Sequence, residues 1–406
     1  MPPIVNSELH AGLGVMSKFR ASQVAPRVRR TEDVLAQRGG LVELLRVPAL
    51  LFGALSTLRG ALYDRGILPS VRMEVPVICI GNISAGGTGK TPMVVWLARR
   101  LVGAGKRPGI LSRGYGKAGV SGAESDEARL YAERLGDLPR VAMPDRIQGV
   151  QLLVELGAGL IVMDDGFQHR RLTRDLDLVL VDVTRPWGLP APAMGANRLP
   201  VQAYLPRGLL RESCKALRRA HAIVLTRTDQ VSAGDLAEFE STLELLAPGV
   251  PRLLSQVTPR GLRPLFVSDV SCEQSASELP SLAGTTIDAV SAIGNPDNFE
   301  ASLKLLGAQV GEHRKFSDHH EYQPSDLAGL GVRAGVRRRV VTTAKDAVKL
   351  FALGPEQLGC EAGDVWILDV EFQLQRGEDV LEALLQGLPE GKVALHLDSI
   401  QEALHG

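Results

Sequence analysis

Aromatic residues are scarce in this 406-residue chain, at 4% of positions. Its interior must therefore be built mainly from Ala, Val, Leu and Ile. Cysteine is rarer still: Cys79, Cys214, Cys272 and Cys360 are scattered and form no CxxC pair. That excludes a disulfide scaffold and a cysteine-rich metal site, and it fits a reducing, cytoplasmic compartment. Net charge is also missing, with 46 basic residues against 46 acidic ones. A general nucleic-acid binder, which carries a strongly basic domain, is not expected. No internal repeat and no long low-complexity tract interrupts the chain. No uncharged run reaches the roughly 20 residues that span a bilayer.

Hydrophobic residues make up 45% of the chain, which excludes disorder over its whole length. The length predicts two to three domains. Residues 1–38 have weak periodicity and read as a basic, flexible extension. Lys18, Arg20, Arg27, Arg29 and Arg30 there face only Glu8 within the first 30 positions. The uncharged run VPALLFGALSTL (47–58) follows, between Arg46 and Arg59. It lies too deep in the sequence to read as a signal peptide. Apolar residues from Leu41 to Leu62 recur at helical spacing, and residues 39–70 are taken as one amphipathic helical region.

From Val75 the pattern changes. Short, wholly apolar runs alternate with helical stretches: VPVICIG (75–81), PGILS (108–112), LIVMDD (160–165), LDLVLVDV (176–183) and AIVLTRTD (222–229). Strands apolar on both faces belong to buried parallel sheets. With helices near 90–103, 127–135 and 146–157, the rhythm predicts a doubly wound, mainly parallel α/β core over 71–255. A second, smaller α/β lobe is expected over 256–406. Its strands are near 286–294, 338–343 and 365–370, its helices near 296–306, 345–352 and 378–387. The polar stretch 268–281 reads as a lobe connection.

The sharpest motif is VPVICIGNISAGGTGKT (75–91). A buried strand enters a Gly-rich turn, then Lys90–Thr91, then an amphipathic helix, which is the context of a phosphate-binding loop. Ser84, Ala85, Gly86, Gly87, Thr88, Gly89, Lys90 and Thr91 would cradle phosphates. Their backbone N–H groups and the helix N-terminus face the anion. Lys90 would reach the β- and γ-phosphates, and Thr91 would ligate Mg²⁺. Ser84 stands where the strict GxxxxGK[ST] pattern has glycine. A metal carboxylate is expected at a neighbouring strand end, and LIVMDD supplies Asp164 and Asp165. On these residues alone a GTPase, an ATPase and a kinase all remain open. Thr226-Arg227-Thr228-Asp229 loosely matches a guanine-reading motif, but a strand followed by a polar turn explains it as well.

Further polar clusters follow in order: LSRGYG, the Asp126-Glu127 pair, PDR (144–146), DDGFQH, GLLRE, IGNP (293–296), DHH (318–320) and TTAKDAVKL (342–350). Together with GNISAGGTGKTP, the ordered set resembles the tetraacyldisaccharide 4′-kinase (lipid A 4′-kinase) family over roughly residues 41–390. The resemblance implies transfer of the γ-phosphate of ATP to the 4′-hydroxyl of a tetraacyldisaccharide 1-phosphate. It also implies Mg²⁺ as cofactor, held by Thr91 with Asp164 or Asp165. Asp126 would be the general base, with His319 or His320 orienting it. A positioned carboxylate suits a weakly nucleophilic sugar hydroxyl. Arg113, Tyr115, Arg146 and Gln168 are candidates for the head group, with His169 nearby. The sequence departs from the family in a short Tyr115–Asp126 interval and in the insertion GLPAPAMGANRLPVQAY (188–204) before Glu212. Asn197 and Glu212 are further candidates there.

A four-chain lipid cannot diffuse freely through water. The run 47–58, flanked by Arg46 and Arg59, therefore reads as an interfacial helix, placing the protein peripherally at the cytoplasmic face of a bacterial inner membrane. No obligate protein partner is inferred. The rival readings are a metal-chaperone-like P-loop GTPase and a nucleotide-regulated membrane adaptor.

Overall fold

The computed structural model describes residues 31–37, 39–114, 126–189, 201–266, 282–318, 320–333, 336–358 and 364–390. The polar stretch 268–281, Tyr115, Asn197 and His319 lie outside the described residues.

Helix α1 (Thr31–Leu35) and a 3-10 turn (Gly40–Leu45) lead into the long helix α2 (Arg46–Asp64). The chain then alternates: β1 (Val77–Asn82), α3 (Lys90–Gly103), β2 (Pro108–Ser112), α4 (Asp126–Leu135), β3 (Arg140–Ala142), α5 (Arg146–Glu155), β4 (Leu160–Asp164), β5 (Leu176–Asp182) and β6 (Ala222–Thr226). Each of β1, β2, β4, β5 and β6 is buried along its whole length, as its unbroken apolar run requires. Helix α6 (Ala233–Leu246) then leads to the long strand β7 (Arg252–Pro264). Next come β8 (Thr286–Ser291), α7 (Pro296–Leu305), β9 (Gln309–Lys315) and α8 (Pro324–Leu327). A small β10–β11 hairpin (Val332–Arg333, Val336–Arg337) precedes β12 (Val340–Thr343) and α9 (Ala344–Leu358). The long β13 (Val365–Arg376) and α10 (Glu378–Gln386) complete the described chain.

Eleven of these strands form one sheet, in the order β3-β2-β4-β1-β5-β6-β7-β13-β12-β8-β9. All neighbours are parallel except β7 and β13, which run antiparallel. That one reversal shapes the molecule. Strand β6 pairs with Arg252–Leu254 at the start of β7, whereas β12 sits beside Val365–Leu368, opposite Leu262–Pro264 at its far end. Leu254 and Leu262 are eight residues apart, roughly 26 Å at about 3.3 Å per residue. Because β8 and β12 run against β7, their carboxyl ends point back at the carboxyl ends of β1, β4, β5 and β6. Two ligand-binding edges thus face each other across a cleft backed by the β7–β13 ladder.

The sheet is continuous, so the second lobe is an extension of the first. A boundary at 255/256 falls inside β7. Strand β13 carries the chain back, and Phe372 and Leu381 are buried with Ile78, Val94 and Leu97 of the phosphate-loop half. Residues near the C-terminus therefore complete the core of the N-terminal half.

Helix α2 docks on this body by one face. Gly53 lies under Tyr204, where an added Cβ would come within 2.4 Å of the ring. The Ser56 hydroxyl donates to the Arg211 carbonyl, and Arg170 pairs with Asp64. The other face is apolar and bare: Val47 is 75% exposed and Leu50 68%, with Leu51, Leu55 and Leu58 beside them. The helical segment Gly40–Asp64 spans 25 residues and is long and apolar enough to cross a membrane by length and composition. It is thus longer than the 12-residue run that the charges delimit in the sequence.

Candidate active site

Strand β1 delivers the chain into the phosphate loop. Gly86 (φ 116°) and Gly89 (φ 90°) hold conformations that side-chain-bearing residues avoid. Among the described residues only Asp165 and Arg227 adopt positive φ without being glycine. Ser84 therefore needs no glycine freedom, which explains the departure from the strict pattern. The loop is braced from behind. The Ala85 amide donates to the Leu209 carbonyl at 2.7 Å, and the Asn82 amide donates to the Thr88 hydroxyl at 3.2 Å. The Thr226 hydroxyl donates to the Thr88 carbonyl at 3.0 Å, and Arg227 donates to the Gly87 carbonyl at 2.7 Å. Arg227 also pairs with buried Asp182. The TRTD segment thus serves as a brace for the loop.

The two adjacent carboxylates have opposite electrostatic fates. Burial, then the charge of Glu127, push the Asp164 carboxyl up to about 7. Its Oδ2 accepts a hydrogen bond from the Tyr131 hydroxyl at 2.6 Å, while its buried Oδ1 has no hydrogen-bond partner. Burial would raise Asp165 as well, but Lys90 and Arg211 outweigh it and bring its carboxyl down to about 2. The Lys90 ammonium lies 3.4 Å from Asp165 Oδ1, and Arg211 Nη1 lies 2.9 Å from both carboxylate oxygens. The residue is held in the left-handed region at φ 51°. Backbone strain of this kind persists where the surroundings over-determine it.

These residues open onto a cavity of about 760 Å³ between the two sheet edges. Residues Ala85 to Pro92 form one wall, with Arg113, Glu127, Asp164, Asp165 and Arg211. The far lobe contributes Ile293–Asn295, Asp318 and Thr343–Lys345. A Cβ on Gly294 would meet the Gly87 nitrogen at 2.5 Å, so the IGNP turn packs backbone to backbone against the phosphate loop. Asn295 accepts from the Asn298 amide to cap α7 and donates to Asp182 at 3.3 Å. Lys345 bonds to Asp318 at 3.0 Å. Burial depresses the Lys345 ammonium, but Asp318 and Glu127 outweigh it and hold it above the ordinary lysine value.

The site gathers some of the expected residues and not others. Ala85–Thr91, Asp164, Asp165 and Arg113 line the cavity. Ser84 is buried behind them, bridged to Leu210. Asp126 opens α4, one residue before cavity-lining Glu127, and its side chain lies outside the described residues. Arg146, expected at the head group, is instead 2% exposed and donates to the Met143 and Asp164 carbonyls. It props the strand end that carries the carboxylates. Gln168 is likewise engaged with the Asn82 carbonyl at 2.8 Å, since the turn after β4 folds back on β1. His169 is half-buried and held below the ordinary histidine value by burial and by Arg146. His320, expected to orient the base, bonds Asp326 at 2.8 Å and stacks on Phe316 with ring centroids 4.5 Å apart. That cluster lies beside α8, off the cavity wall. Glu212 is part-buried and accepts from Arg219 at 2.8 Å. Tyr131, Arg211, Asp318 and Lys345 enter without having been singled out. Arg211, Asp318 and Lys345 stand inside the GLLRE, DHH and TTAKDAVKL clusters, which offered a signal. Tyr131 offered none beyond its place on an amphipathic helix.

Residues 41–389 match the sequence profile of the tetraacyldisaccharide-1-P 4′-kinase family. A tetraacyldisaccharide 4′-kinase from Anaeromyxobacter dehalogenans (strain 2CP-1) is 38% identical over 369 residues, 86% of this chain and 91% of that one. One from Syntrophus aciditrophicus is 36% identical over 86% of this chain and 93% of its own length. The crystal structure of LpxK from Aquifex aeolicus in complex with ATP superposes with a TM-score of 0.57 at 30% identity. The match covers 86% of this chain and 99% of that one.

Proposed function

The chain belongs to the tetraacyldisaccharide-1-phosphate 4′-kinase family, and from that premise we propose how its residues divide the work. The enzyme is an ATP-dependent kinase of lipid A biosynthesis, transferring the γ-phosphate to the 4′-hydroxyl of tetraacyldisaccharide 1-phosphate. In this assignment Ser84–Thr91 bind the triphosphate through backbone N–H groups and the α3 N-terminus. Lys90 neutralises the charge that builds on the transferred group.

The observation that carries the assignment is the split carboxylate pair. Asp165 is saturated by Lys90 and Arg211, while Asp164 keeps one buried oxygen without a partner. An orphaned hard oxygen that lines the same cavity as Thr91 is the kind of donor that Mg²⁺ takes. Asp164 and Thr91 would hold the ion, which supplies charge neutralisation across the β- and γ-phosphates when bound. Asp165 holds Lys90 and Arg211 in place around the transferred group.

Asp126 accepts the proton of the 4′-hydroxyl in this reading, supported by its position one residue before cavity-lining Glu127. With the His320 ring committed to Asp326 and Phe316, the orienting role falls to His319. Arg113 and Tyr115 receive the anionic sugar head group.

The exposed apolar face of α2 supports membrane association. Its other face is docked on the body, so the helix lies in the interface with its bare stripe in the lipid. Use of soluble ATP together with a lipid acceptor supports a location at the cytoplasmic face. Incubation with labelled ATP or GTP, with and without tetraacyldisaccharide 1-phosphate in mixed micelles, tests the function. Label should pass from ATP to the lipid. Equal hydrolysis of GTP with no lipid product would refute it.

A further inference from the structure

The segment before α2 reaches the nucleotide site through one side chain. Helix α1 has five residues, too short to hold itself together in water. It is held by the body instead. Fully buried Arg207 donates to the Leu35 carbonyl at 2.6 Å and to the Gln37 carbonyl at 2.8 Å, and pairs with Glu43 at 2.7 Å. Leu35 is buried with Leu189 and Val201. Arg185, in the turn after β5, adds the third hold. Its Nη1 donates to Glu32 Oε2 at 2.9 Å.

The other end of the same guanidinium crosses the cleft. Arg185 Nη2 donates to Asp297 Oδ2 at 2.8 Å. Asp297 is the second residue of α7, and Lys315 of β9 holds its other oxygen at 2.8 Å. Immediately before α7 stand Asn295, bonded to Asp182, and Gly294, packed on Gly87. The Arg185 amide itself donates to the Asp182 carbonyl at 3.0 Å. Arg185 therefore touches the N-terminal segment, the far lobe and the network that braces the phosphate loop. Its side chain is only 10% exposed and that of Glu32 23%, so the Glu32 pair is screened less than a surface pair, whereas Asp297 stands 55% exposed.

We infer that Arg185 is a positioning residue that makes the N-terminal segment part of the nucleotide site. With Glu32 in place, the guanidinium is fixed in the orientation that holds α7, and with it the IGNP turn, against the phosphate loop. Without Glu32, Arg185 gains rotational freedom and the turn is held less firmly over ATP. The reaction chemistry is untouched, because neither residue lines the cavity.

The test is steady-state kinetics on the full chain, with lipid acceptor saturating and ATP varied. Arg185→Gln should raise KM for ATP about three- to tenfold, the size of a coupling between residues in one polar network. Its kcat should stay within about twofold, because the residue makes no contact reserved for the transition state. Glu32→Gln should raise KM in the same direction, and the double variant should be no worse than Arg185→Gln alone. Arg185→Lys, a charge that cannot fork, should fall between wild type and Arg185→Gln. Lys304→Gln breaks an exposed ion pair on the same helix and should leave KM unchanged. An unchanged KM in Glu32→Gln, additive effects in the double variant, or parallel losses of kcat and KM would each overturn the inference. It rests on the phosphate-loop assignment, which Lys90→Ala checks separately. If that variant binds ATP normally, the assignment fails first.

Discussion

Asp164 and Asp165 are neighbours in sequence and opposites in chemistry. Asp165 is ionised because two cations face it, whereas Asp164 is buried against Tyr131 and Glu127 and resists ionisation near neutrality. For a carboxyl raised in the fold, the stabilising contribution is complete below the unfolded value and is lost as pH rises through the folded one. Metal-free wild type should therefore lose stability between about pH 4 and pH 7 from this group. Asp164→Asn, which cannot ionise, should melt several degrees above wild type in EDTA at pH 8, with the gap narrowing toward pH 5. Thermal melts at the two pH values check this; a lower melting temperature for the variant at pH 8 would contradict it. The motif that carries these residues was legible in the sequence. Their division of labour was not, because it depends on Tyr131, Glu127 and Arg211, which are brought in from other elements. For the same reason Arg146, Gln168 and His320 read as site residues from motif membership and proved to be engaged elsewhere.

At the level of elements, the central strands and their helices could be read nearly residue by residue. Strands β1, β2, β4, β5 and β6 are buried on both faces, so their sequences are unbroken apolar runs. Strands β7 and β9 were invisible for the converse reason. The segment RLLSQVTPRGLRP mixes charge, Pro and Gly along a half-exposed ladder, and QVGEHRK lies at the sheet edge. Helix α6 was passed over too, since only Leu243 along it is fully buried. The pairing of β7 with β13 joins residues more than a hundred positions apart, and no local pattern reports it. Yet that ladder brings the IGNP turn onto the phosphate loop. Gly294→Ala should push these two backbones apart, since the new Cβ would sit 2.5 Å from the Gly87 nitrogen. The expected outcome is weaker ATP binding, by roughly tenfold, with melting temperature little changed. Isothermal titration with a nonhydrolysable ATP analogue measures it, and wild-type affinity would show that the turn does not shape the nucleotide site.

The described residues are built on one eleven-stranded sheet with a reversal in it, a cleft where the two carboxyl edges face each other, and an apolar helix on the outside. The balanced net charge gave no reason to expect a nucleic-acid partner and said nothing of this last feature. Its exposed stripe should be separable from catalysis. Leu51→Glu with Leu55→Glu should abolish sedimentation with vesicles of bacterial phospholipid while leaving affinity for ATP at the wild-type value. Retained vesicle binding would move the membrane contact elsewhere. The proposed mechanism is narrower: the cleft would hold ATP on one wall, and Asp126, at the head of α4, would activate the lipid hydroxyl. Single-turnover transfer from labelled ATP to tetraacyldisaccharide 1-phosphate, measured for Asp126→Asn beside its dissociation constant for ATP, tests it most directly. Transfer should fall by about 10²- to 10⁴-fold with ATP affinity unchanged; transfer at the wild-type rate, or a matching loss of ATP affinity, would contradict a role for Asp126 as the base.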